Sequence, residues 1–113
     1  MNFGSWGEEI AVSYLIEKGY TILNRNFRSR FGELDIIAKY ENTVIFIEVK
    51  TRNSLKFGLP CESITDIKKR HIKRMVNYYT MINCTNELDL RIDVIEILVN
   101  EDQINIHHIE NAF

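Results

Sequence analysis

Three side chains near the middle of the chain, Asp35, Glu48 and Lys50, have the types and spacing to act together at one point. Leu34, Ile36, Ala38, Ile45, Ile47 and Val49 share one face of a strand pair if paired residue numbers sum to 83, as a two- or four-residue connection would give. That register sets Asp35 opposite Glu48, with Cβ atoms about 4.5–5.5 Å apart. Lys50, two residues on from Glu48, projects from the same face. Facing carboxylates repel, and a divalent cation offsets the repulsion directly. Paired hard oxygen donors with room for water suit Mg²⁺ or Mn²⁺. A plain surface ion cluster is the competing reading. Against it, Ile37, Val44 and Phe46 share the face, and charges on a covered face need a partner.

A third carboxylate comes from the N-terminal segment. Ala11, Val12, Leu15 and Ile16 form an apolar stripe at helical period, centred close to the direction of Glu8, while Glu9 points away. Glu8 therefore heads towards the sheet, an unusual direction for a charge. The run Ser5-Trp6-Gly7-Glu8 also fits a capping box, with Glu8 returning to the Ser5 amide. Both readings stay open.

The elements that must position these groups follow from periodicity and turn residues. Ser5 to Lys18 reads as a helix ended by Gly19, and Tyr20 to Leu23 as a short strand leading into a basic loop, Asn24 to Arg30. Leu34 to Lys39 and Val44 to Lys50 form the central hairpin. A loop carrying Gly58 and Pro60 follows, over residues 51–62. Ser63 or Thr65 caps a second helix reaching about Ile82, with Ile64, Ile67, Met75, Val76 and Tyr79 inward. Leu90 to Val99 and Gln103 to Ile109 are the last strands. The order α-β-β-β-α-β-β makes an α/β domain with one mixed sheet flanked by helices.

The 113 residues, 45% apolar and 27% charged, suit a single domain (1–113) that needs no staples. Cys61 and Cys84 fit neither a zinc spacing nor a disulfide framework and read as reduced thiols. No basic leader with an apolar run and no bilayer-length apolar stretch is present, so the expected setting is the cytoplasm, with no membrane partner.

The net charge of −2 gives nucleic-acid binding no general support, so any contact must be local. Two clusters qualify. Arg25, Arg28 and Arg30 precede the Asp35 strand, and Lys68, Lys69, Arg70, Lys73 and Arg74 crowd two turns of the second helix. Like charges stacked at i,i+4 cost helix stability unless an anion balances them, as a phosphate backbone would. A merely solvated helix face is the plainer reading. His71 reads as a surface residue. His107 and His108 point to opposite sides of a strand and cannot chelate one ion together.

Asp35 followed by Glu48-Val49-Lys50 resembles the D…ExK signature of the PD-(D/E)XK nuclease superfamily. A longer series carries a closer resemblance: Gly4-Ser5-Trp6-Gly7-Glu8, Gly19-Tyr20, Gly32-Glu33-Leu34-Asp35, Phe46 through Arg52, Ser63-Ile64-Thr65, Lys68, Asp93-Val94 and Asn111-Ala112-Phe113. These motifs are similar to those of the small bacterial YraN-type family, which is similar in fold to Holliday junction resolvases. The resemblance implies a restriction-endonuclease-like sheet, with Asp35, Glu48 and the Val49 carbonyl ligating a divalent metal. It implies that Lys50 positions the attacking water and that Glu8 completes the site. Arg28, Arg30, Arg52, Lys68, Lys69 and Lys73 are the expected nucleic-acid contacts. Leu34 stands where the superfamily name has proline, and Lys69 where relatives often carry glutamine.

Metal-assisted phosphodiester hydrolysis needs no histidine. The leading expectation is a Mg²⁺- or Mn²⁺-dependent endonuclease acting on DNA, with branched and single-stranded forms among its candidate substrates and a homodimer as the arrangement that would supply paired cuts. The competing expectations are a nucleic-acid-binding module of the same fold without turnover, and a dimeric interaction scaffold. Tyr78 and Tyr79 would serve the scaffold, although at least one belongs to the core.

Overall fold

The computed structural model describes residues 2–53, 65–83 and 87–113. Cys61, Cys84, the proposed Ser63 cap, Ile64 and most of the expected 51–62 loop lie outside the described residues. Seven elements follow in the expected order: α1 (Phe3–Glu17), β1 (Thr21–Ser29), β2 (Gly32–Tyr40), β3 (Thr43–Arg52), α2 (Asp66–Asn83), β4 (Asp89–Asn100) and β5 (Gln103–Ile109). One five-stranded sheet holds the strands in sequence order. β3 and β4 run parallel and the other neighbours antiparallel. A parallel pair needs a long crossover, and α2 lies in it.

The helices cover opposite faces. Ile36, Ala38, Ile45, Ile47, Ile95 and Ile97 pack with Ala11 and Leu15 of α1. Ile37, Val44 and Phe46 pack with Ile72, Met75, Val76 and Tyr79 of α2. Both sides of the central strands are therefore dry, which is why Val44–Ile47 is a continuous apolar run rather than an alternating one.

Four expectations need correction. β1 extends through the basic segment, since Asn24 to Ser29 pairs with Gly32 to Ile37. As an edge strand with an irregularity between Ile22 and Asn24, it shows no apolar alternation to read. Asn2, not Ser5, caps α1: its side chain accepts from the Ser5 amide at 2.7 Å. Ile16 and Ile67 are exposed rather than inward, and Ile72 takes the inward place on α2. Leu34 belongs to the α2 side, unlike Ile36 and Ala38. β2 thus changes its facing at Asp35, beside Asn26 with its φ of 53°.

Helix α1 sits close to the sheet because Gly7, Ala11 and Leu15 present a narrow buried stripe. A Cβ on Gly7 would fall inside contact distance of Thr51 Oγ1 and 2.9 Å from Thr51 Cβ. In an exposed helix Gly→Ala would gain about 1 kcal/mol, but this clash outweighs it. Gly7→Ala is expected to destabilise by about 1–3 kcal/mol, and a second change, Thr51→Gly, to recover part of the loss in thermal melts. Recovery absent from the double variant would mean the close approach is not the cause.

Candidate active site

The β2–β3 ladder runs from Tyr40↔Thr43 to Ile36↔Ile47, the expected register, and ends there. One step further, the strands part around Asp35. Its carboxylate accepts the Val49 amide at 2.8 Å, a backbone donor that the ladder has left free. The ladder thus does not include the expected Asp35–Glu48 pair; at the opening of the hairpin the charges of Asp35 and Lys50 are both near enough to act on Glu48. Because Asn2 holds the helix start, Glu8 is not needed as a cap. It reaches hydrogen-bonding range of Asp35 from the α1 side. From the α2 side, Lys68 Nζ lies 3.3 Å from Glu48 Oε1. Thr65 starts that helix by accepting the Lys68 amide at 3.1 Å, which fixes where Lys68 stands.

Burial sets the electrostatics. Glu48, only 6% exposed, has one carboxylate oxygen, Oε2, with no hydrogen-bond partner among the described residues. Desolvation, then the Asp35 charge, push its carboxyl up to about 7, against the opposing pull of Lys68 and Lys50. Glu8 rises to about 6 through desolvation and the charge and hydrogen bond of Asp35. Asp35 is also raised, by desolvation, with the Val49 amide, Glu8 and Lys68 acting against it.

Two carboxylates, one of them with a buried oxygen that has no hydrogen-bond partner among the described residues, and the main-chain carbonyl of Val49 make a hard-oxygen donor set that fits Mg²⁺ or Mn²⁺. Among the described residues no three His, Cys, Asp or Glu side chains form a metal-holding group by themselves. An ion here would therefore complete its shell with the Val49 carbonyl and water.

The raised carboxyls fix the sign of a pH effect. Acids whose folded values exceed their ordinary ones favour the fold most below about 4.5, and that contribution is lost as pH rises through about 7. A cation must displace the same protons. Mn²⁺ is expected to bind about tenfold more weakly at pH 6 than at pH 8, and to raise the melting temperature more at pH 8. Calorimetric titration at both values checks this; equal affinities would remove Glu48 from the ligand set.

The other expected residues divide. Lys73 is exposed on α2, and Lys69 stands 5.6 Å over the Phe113 ring. Arg28 pairs with Glu33 at 3.0 Å on the surface, and Arg30 lies 5.0 Å over Phe31 at the β1–β2 turn. Arg52 is turned inward, its Nε 3.4 Å from Glu96 Oε1. Glu96 was not anticipated. It is fully buried, stands opposite Lys50 in the β3–β4 ladder, and neither of its oxygens has a hydrogen-bond partner among the described residues. Its signal was a lone charge between Ile95 and Ile97 in a strand covered on both faces.

A second polar cluster lies under the C-terminal part of α1. Asp93, fully buried, accepts Arg91 Nε and Nη2 at 2.9 Å, His108 Nε2 at 2.7 Å and the Asn111 amide at 3.1 Å. His108 Nδ1 is 3.0 Å from the Tyr14 hydroxyl. The two histidines do face opposite ways, and the inward one joins Asp93 rather than the carboxylate site.

Fold and site define an α/β protein with a buried acidic notch at the open end of a central hairpin. The pattern of Uncharacterised protein family UPF0102 matches residues 7–97, and the chain belongs to that family, the YraN-like one its motifs resemble. It is 48% identical to a UPF0102 protein of Clostridioides difficile over 97% of this chain and 95% of the relative. It is 49% identical to one of Caldicellulosiruptor saccharolyticus, with the same coverage. A UPF0102 protein of Alkaliphilus oremlandii is 47% identical, covering 97% and 96%. No helix among the described residues is long and apolar enough to cross a membrane.

Proposed function

We propose that this protein is a divalent-metal-dependent endonuclease of the PD-(D/E)XK type that hydrolyses DNA phosphodiester bonds. The observation that carries the reading is the buried Glu48 Oε2, without a hydrogen-bond partner among the described residues, under the charges of Asp35, Lys50 and Lys68. Asp35, Glu48 and the Val49 carbonyl would hold Mg²⁺ or Mn²⁺. Such an ion polarises a phosphoryl oxygen and makes water nucleophilic at neutral pH. Lys50 would orient the attacking water and donate to the charge growing on the phosphate. Glu8, ionised above about 6, would take the proton that the water gives up. Lys68 meets a phosphate at the mouth, and Lys69 and Lys73 continue the basic face along α2. Cutting both strands of a branched duplex needs two centres, hence two copies of the chain.

The Lys68–Glu48 ion pair also suits a second reading, a nucleic-acid-binding module that neutralises its acid without metal. Purified protein mixed with branched, single-stranded and linear DNA in Mn²⁺ separates the two. Cleavage by wild type and none by Glu48→Gln supports the nuclease. Equal weak cleavage by both assigns the activity to a contaminant, and binding without metal uptake supports the module.

A further inference from the structure

Away from the carboxylates, a cavity of about 690 Å³ opens between the β1–β2 turn and the C-terminal half of α2. Phe31 and Tyr78 form its aromatic walls, with ring centroids 6.3 Å apart at 67°. Arg30 and Arg74 stand at its sides, Asn77 offers an amide, and Met81, 71% exposed, lies at the outer end. Among soluble ligands this volume lies in the range that encloses a small molecule.

The geometry points to a binding pocket for one unstacked nucleobase of a single-stranded DNA segment, its flanking phosphates held by Arg30 and Arg74. Three observations converge on it. Aromatic faces with adjacent guanidinium groups are what an unpaired base stacks on, and a base inside a duplex cannot present its face. Arg74 lines the cavity and Arg70 and Lys73, about one turn or less before it on α2, are exposed too, so an occupant anionic outside its flat apolar part is favoured. Finally, Lys68 touches Glu48 at one end of α2 and Tyr78 lines the cavity ten residues on. Ten helical residues rise about 15 Å, roughly four stacked nucleotides, and fewer when unstacked. One strand can therefore occupy both places. This rests on the nuclease reading and refines it: the substrate carries unpaired nucleotides within a few positions of the cut.

The test uses the full chain without divalent metal, so that binding is read apart from cleavage. The probe is a single-stranded oligonucleotide containing 2-aminopurine, with the same sequence as a paired duplex for comparison. Binding is expected to change the 2-aminopurine emission in the single strand but not in the duplex. Tyr78→Ala is expected to weaken single-strand binding about tenfold and duplex binding less than twofold. Tyr78→Phe, which keeps the ring and the fold, retains wild-type affinity. Unchanged emission, or equal losses on both DNAs, overturns the pocket. So does a Tyr78-dependent dimer in sedimentation, which would give the cavity to a second copy of the chain. If the emission response is present but Mn²⁺ never produces cleavage, the pocket stands and the nuclease reading falls. Cleavage without any response to Tyr78 is the reverse case.

Discussion

Lys50→Ala is expected to lower metal-dependent cleavage by about 10²–10³-fold while leaving Mn²⁺ affinity within about twofold. Lys50 shares the Glu48 face but belongs to no donor set, so in the proposed nuclease its contribution would be to the charge that develops on phosphate. Glu48→Gln is expected to remove both metal binding and cleavage, because an amide of the same shape keeps the packing and loses the anion. The metal-free melting temperature separates this account from a structural one. Ionising Glu48 opposes folding, as its raised carboxyl shows. Its partner Lys68 is 40% exposed and can return to water. The Gln variant at pH 8 should then melt no lower than wild type. A clear drop would instead make Glu48–Lys68 a structural ion pair and favour the binding module. Melting curves with and without Mn²⁺, run beside cleavage assays, give all the readouts.

What the sequence conveyed about this site was its register. Apolar residues in the hairpin admit one parity, and that parity holds from Tyr40↔Thr43 to Ile36↔Ile47, one step short of Asp35 and Glu48. It could not convey that the ladder stops at Ile36↔Ile47. That ending depends on the Asp35 carboxylate capturing the Val49 amide and on β2 turning at Asp35, both tertiary events. Leu34 departs from its expected face for the same reason, since alternation assumes an unbroken pleat. β1 was under-read because an edge strand buries little and so carries no apolar signature. Glu8 is ambiguous only while Ser5 is a rival cap; one hydrogen bond, donated by the Ser5 amide to the Asn2 side chain, removes the rival. Glu96 and His108 show the opposite failure. Glu96 is a lone charge within the buried run of β4 and His108 is half-buried in the polar edge strand β5, and the partners of each lie too far along the chain to be named from spacing.

Asp93→Ala is expected to destabilise the fold by about 3–5 kcal/mol, a large share of the roughly 5–15 kcal/mol that holds a domain of this size. The carboxylate is buried, and removing it leaves the Arg91 guanidinium and the His108 ring without the acceptor that four hydrogen bonds now share. The Asn111 amide loses its acceptor too, so the C-terminal segment, held also by Ala112 N–H to Ile92 O at 2.8 Å, should loosen first. The melting temperature should fall by about 10 °C or more, with raised amide exchange at 110–113 ahead of the sheet centre. Asn at this position accepts through one oxygen only and should cost less. The pH dependence runs opposite to that of Glu48. Burial alone would raise Asp93, but hydrogen bonds from His108, Arg91 and the Asn111 amide outweigh it and hold the carboxyl below its ordinary value. Its contribution is present above about 3.8 and is lost as pH falls through the lower folded value. Urea melts between pH 2.5 and 5 should therefore show a steep acid loss in wild type that Asp93→Asn lacks. A variant losing stability with the same acid profile as wild type would mean that Asp93 is not the group being titrated.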